Sequence, residues 1–157
     1  MNVFLRPGGL YISDEPAVVS TILGSCVSVT IYIGRLRKGG ICHALLPKRL
    51  TGDDAGTFRY VDSAISYMLR KFDTRGIKKK EMEVKLIGGA DVFDHVDRQT
   101  KSVGRQNMEA AMKILENEHL NLSLSDVGGS LGRKIYFYTD TGRVLLQRIK
   151  RIDGTAL

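Results

Sequence analysis

Between Val18 and Leu46 apolar and β-branched residues fall into three runs, VVSTIL, VSVTIYI and ICHALL. Short runs of this composition predict strands. The last two are joined by GRLRKGG, a basic stretch with glycine near each end, which predicts a hairpin with a medium loop. In FRYVDSAISYMLRKF, residues Val61, Ile65, Met68, Leu69 and Phe72 follow one another at spacings of four, three, one and three, one face of an amphipathic helix that Gly76 ends. EVKLIGGA predicts a short strand running into a Gly-Gly turn. RQNMEAAMKILENEHL predicts a second helix with Met108, Ala111, Met112 and Leu115 along its apolar stripe. NLSLSDVGG predicts a strand into another glycine turn, and IYFYT and RVLLQRI a final hairpin closed on Asp-Thr-Gly. Strands, helix, strand, helix and strands in that order predict an α/β fold, with mixed β-sheet layers and two main helices packed on the sheet, in a single domain over residues 1–157.

Composition narrows the class. The chain has 157 residues, the size of one ordinary domain. With 43% hydrophobic and 26% charged residues it is neither disordered nor a membrane protein. No apolar run approaches the roughly 20 residues of a membrane span, and MNVFLRPGGLY lacks the pattern of a signal peptide, so a cytoplasmic protein is expected. In that reducing setting Cys26 and Cys42 are expected to be free thiols. A net charge of +7 favours an acidic partner, whether nucleic acid, membrane surface or protein face. The densest basic run, Lys78 to Lys80, has no interleaved aromatics for base stacking and reads as a solvated loop.

The candidate chemistry lies in LGSCVSVT. Cys26 follows the Gly24-Ser25 pair and precedes a strand, and His43 stands 17 residues later on the return strand of the hairpin. A thiol beside an imidazole can be deprotonated, and the imidazole can then protonate a leaving group. A buried cysteine and a strand histidine can equally be packing. A hairpin centred on residues 36 and 37 pairs residue 43 with about residue 30, leaving Cys26 roughly 13 Å away along the strand, so contact requires a bend at Gly24-Ser25 or a bulge. Cys42 should point to the other face and into the core. His95 and His119 have no partner at metal-ligand spacing, and no zinc site is readable. The glycine turns IGGAD and DVGGSLGR match neither the P-loop nor the dinucleotide fingerprint, and read as backbone turns needing positive φ.

Taken in chain order, LGSCVSVTIY, GGICHALLP, FRYVDSAI, VKLIGGADVF, VGRQN, DVGGSLGRKI and TGRVLL resemble the CheD family of chemoreceptor glutamine deamidases over nearly the whole chain. The resemblance implies a cofactor-free and metal-free hydrolase that converts particular receptor glutamines to glutamates, and that can also hydrolyse glutamyl methyl esters. It implies Cys26 as nucleophile and His43 as general base and acid. An upstream hydroxyl would orient the imidazole, Ser20 by spacing or Thr21 by residue type; their side chains alternate, so only one can face His43. Gly24 and Ser25 fall where substrate and oxyanion would be held, with backbone N–H groups around Ser25 and Cys26 as donors. Asp62, Gly88, Gly89, Arg105, Asn107, Gly128 and Gly129 match family positions expected to shape the site. The implied partners are the cytoplasmic domain of methyl-accepting chemoreceptors and a CheC phosphatase, the latter opening an alternative role as a non-catalytic adaptor. On this reading the positive charge serves docking onto an acidic receptor coiled coil rather than nucleic acid binding, and such docking weakens as salt rises.

Overall fold

Residues 1–49, 58–92 and 101–150 are described by a computed structural model. They form β1 (Asn2–Phe4), β2 (Leu10–Ile12), β3 (Val18–Leu23), β4 (Val27–Ile33), β5 (Lys38–Cys42), α1 (Val61–Thr74), β6 (Met82–Gly88), α2 (Val103–Asn117), β7 (Leu122–Val127), β8 (Gly132–Tyr138) and β9 (Val144–Ile149). The strands make two sheets, one of four in the order β1-β3-β8-β9 and one of five in the order β2-β5-β4-β6-β7.

Alternation along β4 sets the layering. Val27, Val29, Ile31 and Ile33 share a core with Val61, Ile65, Met68 and Phe72 of α1 and Ala111 and Leu115 of α2. The opposite face meets the second sheet, where Val19, Leu23, Ile135 and Phe137 pack on Ile41 and Ile87. The order of layers is therefore helices, five-stranded sheet, four-stranded sheet. Each fully buried aliphatic or aromatic side chain here contributes about 1.5–3 kcal/mol, and this burial, more than intrinsic propensity, holds helices of 14 and 15 residues.

The expected element order and α/β class are found, and β8 and β9 form the expected final hairpin. Three features differ. Strands β1 and β2, too short to carry a pattern, add an edge to each sheet. The basic loop of the first hairpin is only Gly34 to Arg37, because Lys38, Gly39 and Gly40 belong to β5, opposite Ile33, Tyr32 and Ile31. These strand positions are glycine for lack of room: a Cβ on Gly39 would lie 2.7 Å from Cζ of Phe137, and one on Gly40 would lie 3.3 Å from Cζ of Phe72. The buried stripe of α2 is Gly104, Asn107, Ala111 and Leu115, while Met112 is 37% exposed, so the helix is rotated from the stripe its methionines suggest.

Lys79–Glu81 form an exposed 3-10 turn, in which Lys79 pairs with Glu118. No helix among the described residues is long and apolar enough to cross a membrane. His95 lies outside the described residues, and His119 lies in the turn that follows α2, with a φ of 57°.

Candidate active site

β3 ends in one sheet and β4 begins in the other, so Gly24, Ser25 and Cys26 carry the chain from layer to layer, with a bend at Gly24 and Ser25. Their three carbonyls are anchored in succession. Ala90 N–H donates to Gly24 O at 3.0 Å, Asn107 Nδ2 to Ser25 O at 2.9 Å, and Gly89 N–H to Cys26 O at 2.8 Å. The fit behind this crossing requires glycine: with φ at +115°, a Cβ on Gly88 would lie 2.2 Å from Cys26 O. A Cβ on Gly104 of α2 would likewise lie 2.1 Å from Ala90 O, so the helix can seat against the turn only without a side chain there.

The shortened hairpin loop moves the register by two residues. Val27 and Ala44 exchange both backbone hydrogen bonds, at 3.0 and 2.9 Å. The neighbouring pair Ser28 and His43 is therefore a non-hydrogen-bonded pair, the kind whose side chains lie closest. Cys26 is two residues from Ser28, a diagonal of about 7–8 Å between Cα atoms rather than the 13 Å of the longer loop. Parity agrees: Ile41 packs between the sheets and Cys42 under the helices, so His43 turns back between the sheets, where half-buried Cys26 also packs. Both cysteines are free, and they face opposite sides of one sheet.

The N-terminal strand linker joins the two layers at His43. Its backbone is held by Gly8 N–H donating to His43 O at 2.8 Å and by His43 N–H donating to Gly9 O at 3.0 Å. Its imidazole Nδ1 lies 2.7 Å from Thr21 Oγ1, which lies 2.7 Å from Leu5 O. A carbonyl can only accept, so the single hydroxyl proton of Thr21 goes to Leu5, and His43 Nδ1 must carry the proton that Thr21 accepts. Nε2 is then the unprotonated nitrogen. Ser20, the other candidate hydroxyl, alternates to the outer face of β3 and contributes its backbone oxygen to Leu5 N–H at 2.8 Å. The structure brings Thr21, not Ser20, to His43.

Burial shapes the titration of both groups. His43 is 1% exposed, and desolvation lowers its pKa to about 4, so the imidazole is neutral at neutral pH. Burial pushes the Cys26 thiol above its usual value, offset in part by hydrogen bonds from the Ser25 side chain and from Cys26's own N–H. The resting pair is a neutral thiol and a neutral imidazole. Cys42, sealed beneath the helices, is pushed up to about 12. Ser28 Oγ, His43 Nε2 and Asn107 Oδ1 are the buried side-chain polar atoms without a hydrogen-bond partner among the described residues, and all three belong to this site or to the residue clamping it.

Other expected residues take up supporting places. Gly128 N–H donates to Gly88 O at 3.0 Å, and Asp91 N–H donates to Gly129 O at 2.7 Å, so the two glycine turns are tied together behind Cys26. Arg133, 2% exposed, completes that tie: paired with Asp126 at 2.8 Å, it donates to Gly128 O at 2.9 Å and Gly88 O at 3.4 Å. Asp62 accepts from Ser63 N–H in the first turn of α1, and Arg105 pairs with Glu109 on the surface of α2. Sequence reasoning had no signal for Leu5, which acts through its carbonyl, nor for Ser28 or Arg133, whose importance comes from register and burial. Among the described residues no group of three or more His, Cys, Asp or Glu is placed to hold a metal ion.

Residues 45–148 match the family model described as CheD chemotactic sensory transduction. A Geobacter sulfurreducens protein called "Probable chemoreceptor glutamine deamidase CheD 2" is 45% identical over 98% of this chain and 93% of its own length, a span that takes in Cys26 and His43. A protein of Maridesulfovibrio salexigens called "Probable chemoreceptor glutamine deamidase CheD" is 38% identical over 96% of this chain and 93% of its own. One of Thermococcus kodakarensis with the same name is 33% identical over 95% and 94%.

Proposed function

The chain belongs to the CheD family, and from that premise we propose that it hydrolyses glutamine side-chain amides on chemoreceptors, giving glutamate and ammonia through a thioester on Cys26. The observation that carries this reading is the proton order Leu5 O, Thr21 hydroxyl, His43 Nδ1, which presents an unpartnered basic Nε2 on the sheet face shared with Cys26.

With both partners neutral at rest, the proton moves as attack occurs. The sulfur forms a bond to the carboxamide carbon, its proton passes to His43 Nε2, and the carbonyl π pair moves onto oxygen. The N–H groups of Ser25 and Cys26 receive that oxyanion. Collapse breaks the C–N bond, and Nε2 returns the proton to the departing amine as ammonia. Water then adds to the thioester with the same imidazole as base, and glutamate leaves as the thiol is restored. Thr21 acts as a positioning residue: it keeps the proton on Nδ1 and stabilises the transient imidazolium, which burial otherwise opposes. A glutamyl methyl ester presents the same acyl carbon, with methanol as leaving group. Such an activity calls for a cytoplasmic protein, since the receptor domain it acts on is cytoplasmic.

The test is mass spectrometry of the cytoplasmic fragment of a cognate receptor incubated with the protein. Each converted glutamine gains about 1 Da by exchange of –NH2 for –OH, and Cys26→Ala gives no gain. An unmodified fragment with the wild-type protein overturns the proposal.

A further inference from the structure

Asn107 was expected only to shape the site, yet its contacts do something more specific. It is fully buried on the inner face of α2, and both protons of its amide are used: Nδ2 donates to Ser25 O at 2.9 Å and to Leu45 O at 2.8 Å. Two carbonyl acceptors also fix which end of the amide faces them, since Oδ1 could not. One side chain thus joins the residue before the nucleophile to a residue two beyond the base.

The consequence follows from peptide geometry. Ser25 C=O and Cys26 N–H belong to one planar trans unit and point in opposite directions. Drawing Ser25 O toward α2 therefore turns Cys26 N–H away from the helix, toward the inter-sheet side where His43 lies. Ala90 N–H likewise anchors the preceding unit by holding Gly24 O at 3.0 Å. Gly24 leaves this stretch without a side chain to resist rotation of that unit, so the anchors, rather than local sterics, decide which way the N–H groups point.

We propose that Asn107 is the positioning residue of the oxyanion hole: its amide holds the Ser25–Cys26 peptide in the one orientation that presents Cys26 N–H to the oxyanion. This rests on the deamidase reading and adds to it the group that makes the hole preformed. In Asn107→Asp, a carboxyl of the same shape donates to at most one of the two carbonyls, and only when protonated; in Asn107→Leu, nothing donates.

The test compares two reactions of Cys26. Deamidation passes through an oxyanion, whereas alkylation by iodoacetamide is a direct displacement at carbon and forms none. For folded variants, kcat on the receptor fragment should fall about 100-fold, the loss of one oxyanion donor, with KM and the alkylation rate within about threefold of wild type. Equal losses in both reactions, a loss confined to KM, or a kcat within threefold of wild type would overturn the proposal. If neither variant folds, the wild-type protein gives the answer. With a receptor peptide carrying an aldehyde in place of the glutamine carboxamide, the Cys26 amide proton should move downfield as the hemithioacetal forms, and an unmoved Cys26 amide overturns it. Failure of the wild-type protein to deamidate any cognate receptor fragment would strike the deamidase reading instead, leaving the alkylation and amide-proton results to judge the peptide's orientation.

Discussion

The two faces of the five-stranded sheet are built to different specifications. Beneath the helices the face is continuous hydrocarbon: Val27, Val29, Ile31, Ile33, Val84 and Leu86 against α1 and α2, with Cys42 as one more small apolar side chain. The face toward the second sheet carries fewer apolar residues and, among them, buried Ser28, Thr30 and His43, and the sheet packed against it adds buried Thr21 and Arg133. Burying polar groups costs free energy unless they are hydrogen-bonded, and Thr21, Arg133 and Nδ1 of His43 are. His43 Nε2 and Ser28 Oγ are not. One face of the sheet spends its residues on stability, and the other gives some of that up to hold a neutral imidazole on the face where Cys26 also packs.

The largest test of this contrast is between the two cysteines. A thiol pushed up to about 12 and sealed in the core is almost entirely protonated at pH 7.5 and out of reach, whereas Cys26 stands half-buried at the crossing between sheets. Iodoacetamide should modify Cys26 at least about 1,000-fold faster than Cys42 in the native protein, and Cys42 should react only on unfolding. Peptide mapping after timed alkylation reads both sites at once. Cys42→Ala should keep deamidase activity and lose about 1 kcal/mol of stability. Comparable labelling of the two thiols would erase the distinction between the faces.

The next largest effect separates the two hydroxyls of β3. Thr21→Val keeps the shape of the buried side chain but leaves His43 Nδ1–H without an acceptor and Leu5 O without a donor. Deamidation kcat should fall about tenfold to a hundredfold as the tautomer is released, together with a drop in stability of about 1–3 kcal/mol from the unpaired groups. Ser20→Ala, on the outer face, should change kcat by less than about twofold, within the range of ordinary surface substitutions. Steady-state rates on a receptor fragment, measured for both variants beside thermal melts, would settle the assignment. The reverse ranking would mean that a different rotamer of His43 is the active one.

Much of this architecture was legible. β-Branched runs marked β3, β4 and β6, the spacing of Val61, Ile65, Met68, Leu69 and Phe72 marked α1, and alternation placed Cys42 opposite His43. What misled was the chemistry of glycine and asparagine. Gly39 and Gly40 look like a loop in sequence, yet they are strand positions of β5 that must be glycine because Phe137 and Phe72 press from the two adjoining layers, and no local pattern reports a ring that arrives from 98 or 32 residues away. That misreading alone shifted the hairpin register by two residues and made the thiol and imidazole look too far apart. The resemblance pointed to Asn107, but its place on the buried stripe of α2 was hidden, because a periodicity argument counts apolar positions and that stripe runs through an amide. Choosing between Ser20 and Thr21 required knowing which face of β3 meets the other sheet, information that a six-residue strand does not contain.

The smallest effect expected is on stability near neutral pH, and it comes from His43. Desolvation lowers its folded pKa to about 4, against about 6.5 for an exposed imidazole, so between those values the unfolded chain binds a proton that the folded chain does not. Stability therefore rises with pH through that window, is complete above about pH 6.5, and is progressively lost as the solution is acidified toward pH 4. Between pH 7.5 and 6 the loss is about 0.8 kcal/mol. The Cys26 thiol, raised by burial, stays protonated in both states across this range and adds nothing. Urea midpoints for the wild-type protein and His43→Gln at pH 6, 6.75 and 7.5 isolate the contribution, because the variant keeps a hydrogen-bonding side chain without the titration. The wild-type midpoint should fall with acid more steeply than that of the variant, while deamidase kcat/KM of the wild-type protein stays level, since its base remains neutral. Parallel midpoints would show that the imidazole is more solvated than its neighbours imply, and that the inter-sheet face does not hold it neutral at the expense of stability.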